Sequence, residues 1–291
     1  MKKVVIGMGE ALWDCLPTGK KMGGAPANFA YHVSQFGMES YAVSAVGDDE
    51  LGNELLGCYD KAGLSAVIEK VAFPTGTVKV TVDEKGIPSY DICEGVAWDN
   101  IEFTQELRDL AKRTDVVCFG SLAQRNAVSR KTINDFIDAM PAGSQKVFDI
   151  NLRQSFYSKE IIENSMKKST ILKINDEELV IVKDLLGLSG SEKEVCLALL
   201  ANYSLEMVIL TCGTDGSKVF TATEESVMPT PKVDVVDTVG AGDSFTGAFI
   251  AAYISGKSIK EAHSLAVEVS AYVCTKAGAM PELPAELKSR L

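Results

Sequence analysis

The chain predicts an α/β fold with a largely parallel central sheet and helices on both faces. Short apolar, β-branched runs alternate with longer amphipathic stretches through most of its 291 residues. No internal repeat or low-complexity block interrupts that alternation. One segment, residues 76–96, departs from it with a period of two. It reads as a small antiparallel ribbon set into the main domain.

The first apolar run, residues 4–7, follows Lys2 and Lys3 and opens the chain as a buried strand. Gly7, Gly9, Glu10 and Asp14 interrupt it too early for a secretory leader. Residues 10–22 are too polar and Gly-rich for a crossover helix. Residues 26–36 read as a helix with Pro26 in its first turn, and residues 41–46 as the next strand. A helix over 49–61 follows Gly47-Asp48. Thr77 to Val82 and residues 89–93 form the ribbon, joined by a turn at Asp83-Glu84-Lys85-Gly86. Further buried strands are predicted at 115–119, 146–150, 170–174 and 207–211. Helices at 129–140, 176–186 and 191–203 each carry acidic or hydroxyl residues near the start. A single domain spanning 1–291 results. Its insertions near 10–22 and 76–96 are expected to lie as a lid over the carboxyl ends of the strands.

Composition excludes several classes. The 29 basic and 40 acidic residues leave a net charge of −11, which argues against nucleic-acid or anionic-membrane binding. With 46% hydrophobic and 24% charged residues the chain is globular rather than disordered. The longest apolar stretch, residues 245–254, falls short of the roughly 20 residues that a bilayer span needs. Seven cysteines without a C-x-x-C pair suggest reduced thiols, no zinc site and a cytoplasmic protein.

Five clusters are candidates for chemistry. The most informative is Asp237-Thr238-Val239-Gly240-Ala241-Gly242-Asp243 ahead of an apolar helix. Small residues at a helix start leave backbone N–H groups open, and the helix dipole favours an anion there. Asp243 is then either a base for an attacking hydroxyl or an ordinary first-turn acid. Gly23-Gly24-Ala25-Pro26-Ala27-Asn28 permits close backbone approach, and Asn28 offers a donor and an acceptor to a sugar hydroxyl. An ordinary Gly-rich turn explains that cluster equally well. Asp14 lies just past the first strand, placed either for vicinal hydroxyls or as a solvated loop acid. Asn175 and Glu178 share one side of a helix start, suited to a Mg²⁺ water shell and phosphates or to plain helix capping. Thr211-Cys212-Gly213-Thr214-Asp215-Gly216 is either a loop around a nucleotide or a turn between strands. A dinucleotide fingerprint at Gly7 and Gly9 lacks its third glycine, since Leu12 stands there, and no helix pattern follows.

In this order the clusters resemble the ribokinase-like, pfkB-type carbohydrate kinases over essentially the whole chain. The segment from Asp237 to Asp243 matches the C-terminal signature of that family. Gly23-Gly24 with Asn28, and Val46-Gly47-Asp48-Asp49 with Gly52, match its N-terminal one. The opening Gly9-Glu10-Ala11-Leu12-x-Asp14-x-x-Pro17 is similar to bacterial fructokinases. So are Phe119-Gly120-Ser121-Leu122-Ala123 and Asp149-Ile150-Asn151-Leu152-Arg153, which sugar-acid kinases share.

The resemblance implies a ribokinase-like fold with a small β lid, and transfer of the γ-phosphoryl of ATP to a primary hydroxyl of a sugar, first of all fructose. It implies Asp243 as general base, and Gly240, Ala241 and Gly242 as the anion hole. Asp14, Gly23, Gly24, Asn28 and Arg153 would hold the sugar, with Arg153 able to serve the phosphates instead. Asn175 and Glu178 would manage Mg²⁺ and phosphates, Glu178 through water, and Thr211, Gly213 and Gly216 would line the nucleotide. A monovalent cation, K⁺, would take ligands from Asp237, Val239, Val273, Lys276 and Gly278. A homodimer through the lid is the implied assembly. Other expectations are a kinase for 2-keto-3-deoxygluconate, ribose or a nucleoside, and a non-catalytic sugar or nucleotide sensor. His32 is expected as a packing or surface residue, His263 on a helix surface, and Trp98 as an apolar anchor or a sugar-stacking residue.

Overall fold

The computed structural model describes residues 2–16, 19–82 and 88–291, at 80–82 and 88–90 by backbone path only. Its first half runs β1 (Val4–Met8), β2 (Leu12–Leu16), β3 (Gly19–Gly23), α1 (Ala25–Ser34), β4 (Glu39–Gly47), α2 (Glu50–Ala62), β5 (Ala66–Val71), β6 (Gly76–Val82) and β7 (Pro88–Ile92). Then come α3 (Gln105–Ala111), β8 (Val116–Phe119), α4 (Ala127–Ala139), β9 (Gln145–Asp149), α5 (Lys159–Lys168) and β10 (Ile171–Asn175). The remainder is α6 (Asp176–Leu186), α7 (Glu192–Asn202), β11 (Met207–Thr211), β12 (Ser217–Phe220), β13 (Glu225–Met228), α8 (Ala241–Ile254), α9 (Ile259–Cys274) and α10 (Ala285–Lys288).

Strand β1 shows why the sheet is covered twice. Val4, Ile6 and Met8 point into one apolar cluster, and Val5 points into the cluster on the other face. Helices α3 to α7 close the first face; α1, α8 and α9 close the second. Nine strands lie in the order β13-β12-β11-β10-β9-β8-β1-β4-β5, and only the β11–β12 and β12–β13 pairs are antiparallel, so β12 alone is reversed. From β1 the chain builds outward through β4 and β5, then returns to the other side of β1 and builds through β8 to β13. The carboxyl ends of β1 and β8 therefore flank the point where strand order reverses, the usual place for a ligand crevice.

Residues 10–22 and 76–96 combine into a second, four-stranded sheet of order β3-β2-β6-β7. The expected antiparallel ribbon is the β6–β7 pair, but the other edge of β6 pairs parallel with β2, so β6 is an inner strand. Residue Pro17 and the turn expected at 83–86 lie outside the described residues. No helix among the described residues is long and apolar enough to cross a membrane.

Two local expectations are corrected, and two alternatives are settled. Helix α4 begins at Ala127 on an Asn126 cap, because Ser129 is buried and its hydroxyl joins the Ile101 amide to the Trp98 carbonyl. His263 is fully buried rather than on a helix surface. Helix α9 packs on β12 and β13, where Ser217 and Ser226 satisfy both ring nitrogens at 2.7 and 2.9 Å. Trp98 is an anchor in the core, capped by the Arg125 guanidinium 4.0 Å from its ring. His32 is a packing residue, as expected; its Nε2 lies 2.8 Å from the Ala279 carbonyl, to which it donates.

Candidate active site

Two glycine-led helix starts meet at the crevice. Helix α8 starts on Gly240, which holds the left-handed conformation at φ 77° and provides no side-chain cap. A side chain there would stand 2.6 Å from the Ala279 Cβ, so only glycine fits. The Ala241 amide is already given to the Thr238 carbonyl at 3.2 Å. The expected cradle thus rests more on Gly240 and Gly242 than on Ala241. Helix α1 starts on Gly24, at φ 121°, where a Cβ would lie 2.4 Å from the Glu10 carbonyl oxygen.

The two helices are joined by one hydrogen bond: Asn28 Nδ2 donates to Asp243 Oδ2 at 2.7 Å. The other end of that amide, Asn28 Oδ1, is buried without a protein partner and is free to accept a hydroxyl proton. Burial pushes the Asp243 pKa up to about 6; the Asn28 bond opposes this, Asp149 adds to it, and Lys173 and Arg153 oppose it. Asp243 is thus a carboxylate at neutral pH whose affinity for a proton is well above that of an ordinary aspartate.

The residues expected to hold a sugar converge. Asp14 lies on β2 opposite Lys21 of β3, and its Oδ2 fills the space where a Gly23 side chain would begin. Burial raises the Asp14 pKa, against the charges of Arg153 and Lys21. Glu10 was not singled out for a role, yet it is buried, with Oε2 unpartnered. Burial pushes its pKa up to about 7 against its own amide, Arg153 and the Ala25 amide, while Asp243 pushes it further up. Arg153 is exposed, and its charge acts on Glu10, Asp14 and Asp243 together.

The nucleotide-side residues sit at the ends of neighbouring strands. Asn175 and Thr211 are paired in register. Asn175 caps α6 by accepting the Glu178 amide at 2.8 Å. Glu178 returns the bond to the Asn175 amide at 2.9 Å and accepts the Leu152 amide at 2.9 Å. The capping alternative is therefore realised, and both Glu178 oxygens are engaged by backbone. Burial raises the Glu178 pKa, with Lys173 opposing. Gly213 and Gly216 hold φ 52° and 103° in the short turn between β11 and β12. A Cβ at Gly216 would lie 2.3 Å from the Met228 carbonyl oxygen. Thr211, Gly213 and Gly216 share no hydrogen bond with the cradle among the described residues.

The candidate cation ligands lie in the loop before α8, and at the end of α9 and in the loop after it, knit through Asp237. Its Oδ1 accepts the Val239 amide at 3.1 Å, and its Oδ2 accepts the Gly278 amide at 3.1 Å and Lys21 Nζ at 3.4 Å. The Cys274 carbonyl takes the Val236 amide, and the Val273 carbonyl takes that of Lys276. One carboxylate among carbonyls suits a monovalent hard cation. For Mg²⁺, no group of three or more His, Cys, Asp or Glu among the described residues forms a cage. The residues fit an ion carried on nucleotide phosphates, with Glu178 reached through water.

Strands β9 and β10 and helix α8 also bring together Asp149, Lys173 and Thr246 beneath the cradle, and of these the sequence motifs include Asp149 alone. A lysine inside an otherwise apolar central-strand run was the available signal.

Comparisons with known proteins bear on family and fold. The family model described as pfkB family carbohydrate kinase matches residues 10–286. A protein named probable fructokinase-4, from Arabidopsis thaliana, is 30% identical over 318 residues, covering 98% of this chain and 95% of its own. An ATP-dependent 6-phosphofructokinase of Thermoanaerobacterium thermosaccharolyticum is 30% identical over 298 residues, covering 96% and 90%. A solved structure of a fructokinase double mutant from Vibrio cholerae O395, in fructose, ADP and potassium ion bound form, superposes with a TM-score of 0.82. It covers 100% of this chain and 98% of its own, at 24% identity.

Proposed function

The chain belongs to the pfkB family of carbohydrate kinases, with a ribokinase-like fold, and from that premise we propose that it transfers the γ-phosphoryl of ATP to a primary hydroxyl of fructose. The observation that carries the reading is the Asn28–Asp243 bond, which places a base of raised proton affinity between the sugar-side helix and the glycine cradle. Asp14, Gly23, Gly24 and Asn28 hold the sugar, Arg153 balances the acids around it, and Asp243 accepts the hydroxyl proton as the oxygen attacks phosphorus. The amides of Gly240 and Gly242, and that of Ala241 where it can be shared, receive the transferring charge. Thr211, Gly213 and Gly216 line the nucleotide, with Asn175 towards its phosphates. Glu178 would hold Mg²⁺ on those phosphates through water, and the ion would supply the positive charge that a chain of net −11 lacks. Asp237, Val239, Val273, Lys276 and Gly278 surround the place for K⁺ beside the cradle, a reading supported by the potassium-bound fructokinase of similar fold.

Fructose is favoured by the names of the relatives and by charge. Two acids, Glu10 and Asp14, face the sugar end, so a neutral sugar suits it better than fructose 6-phosphate. The small sheet is read as the lid that keeps water from the phosphoryl group. Among the described residues, its outer strands β3 and β7 each keep an unpaired edge, which supports a homodimer through the lid. The deciding assay is ATP-dependent ADP release with fructose, fructose 6-phosphate, ribose and 2-keto-3-deoxygluconate side by side. Fructose should give the highest kcat/KM, and preference for another sugar moves the assignment to that sugar.

A further inference from the structure

Lys173 stands where an apolar residue would ordinarily be. Its neighbours in β10, Ile171, Leu172 and Ile174, are fully buried, and Lys173 itself is only 7% exposed. In the adjacent strand it lies in register with Asp149, and Nζ meets Asp149 Oδ1 at 3.2 Å. The other oxygen, Asp149 Oδ2, is within 3.2 Å of the Thr246 hydroxyl, which also reaches the Gly242 carbonyl at 3.0 Å. The ammonium ends against the cradle. Among the described residues, and apart from the helix's own backbone, Lys173 Nζ is the one heavy atom near the place where a Gly242 side chain would begin, at 3.2 Å.

Stability alone does not account for this. A buried ion pair is commonly matched or bettered by an apolar pair of the same volume. A cation beside the amino end of α8 also sits at the positive end of that helix dipole. Burial works against its charge, but the carboxylates of Asp149, Glu178 and Asp243 outweigh burial and hold the ammonium protonated. What joins the turn, the dipole and the ammonium is an arriving anion. We propose that Lys173 is the fixed cation of the glycine cradle, directed at the terminal phosphoryl oxygens of the nucleotide, with Asp149 and Thr246 as its positioning residues. This rests on reading the site as a nucleotide-dependent kinase. Asp149 keeps the ammonium from collapsing onto Asp243, and Thr246 ties Asp149 to the same helix turn that carries the cradle.

The test is calorimetric binding of Mg²⁺-AMP-PNP and Mg²⁺-ADP, without sugar, to wild type, Lys173→Met, Lys173→Arg and the double variant Asp149→Asn/Lys173→Met. Losing a charge-assisted contact to the terminal phosphate should weaken AMP-PNP about tenfold or more in Lys173→Met, and ADP less than about threefold. Lys173→Arg should recover part of the loss. The double variant leaves no lone buried charge, so it keeps the test available if Lys173→Met fails to fold, and it must show the same selective loss. Equal losses for both nucleotides, or none for either, in a variant that melts like wild type would overturn the role; a purely structural lysine gives the equal loss. A wild-type chain that prefers AMP-PNP, loses that preference without Lys173 and phosphorylates no sugar overturns the substrate reading but not this one. A wild-type chain that binds neither nucleotide overturns both.

Discussion

Among the described residues, α2 to α7 and α9 each begin on a side chain that caps the first turn, whereas α1 and α8 do not. Asp49, Thr104, Asn126, Ser158, Asn175, Ser191 and Ser258 accept first-turn amides in the former group. Gly24 and Gly240 stand at that place in the latter and offer no side-chain acceptor. A capped start satisfies its orphan amides internally and contributes stability. An uncapped start, forced by a glycine that no other residue can replace, leaves amides and dipole for something from outside. Apart from the four-residue α10, which starts on Pro284, the uncapped starts are the two that the Asn28–Asp243 bond brings together. Among α1 to α9 the cap side chain thus separates helices that hold the fold from the two proposed to meet the ligand. Helix α6 falls between the groups, since its capping box is made of the residues proposed to face phosphate and Mg²⁺.

The contrast can be broken most sharply at Asp243. Asp243→Asn should lower kcat by roughly 10²–10⁴, the range for loss of a general base, with the fold retained by circular dichroism. Near-normal turnover would remove the base from the uncapped start of α8. Next come the glycines. Gly240→Ala drives a methyl towards Ala279, and Gly24→Ala drives one into the Glu10 carbonyl. Each should cost about 10² in kcat/KM through misplacement of about an ångström. The first should show with nucleotide varied and the second with sugar varied; wild-type kinetics would mean that the starts are not shaped for a ligand.

The pH profile sharpens the assignment further. Asp243, with its pKa raised to about 6 chiefly by burial, must be ionised to act as base. The rate should therefore be level above pH 6 and fall about tenfold per unit below it. Glu10, raised to about 7, titrates close by. Glu10→Gln should leave the limb near 6 in place, and movement of the limb would assign it to Glu10. The smallest effect belongs to the capped class. Ser258→Ala removes the cap of α9 and should cost about 1 kcal/mol of stability by denaturant melt, with kcat unchanged.

How much of this was readable in the residues varied with the physics of each part. The central strands β1 and β8 to β11 are apolar runs because parallel strands are buried on both faces, and their positions were evident to within a residue or two, whereas the half-exposed β5 had no expectation. Strands β2 and β3 were not, because Asp14, Gly19, Lys20, Lys21 and Gly23 lack strand propensity and pair for tertiary reasons. His263 was misplaced because a polar residue on a helix suggests solvent, and the serines that satisfy it lie 37 and 46 residues away in sequence. At the site, the glycine motifs singled out Asp243, Asn28 and the two glycine-led helix starts as candidates. Lys173 and the buried state of Glu10 depend on neighbouring strands, which no local motif encodes.

Helices α1 and α8 also bear on biosynthesis. Phe29 and Val33 from the beginning of the chain share one apolar cluster with Phe245, Phe249 and Val269 from its end. A ribosome-bound chain that has made β1 and α1 cannot cover that side of the sheet until residues beyond 241 emerge. Most of translation therefore proceeds with a sticky face exposed, and the nascent protein must rely on helpers or on speed at the very end to reach its native state.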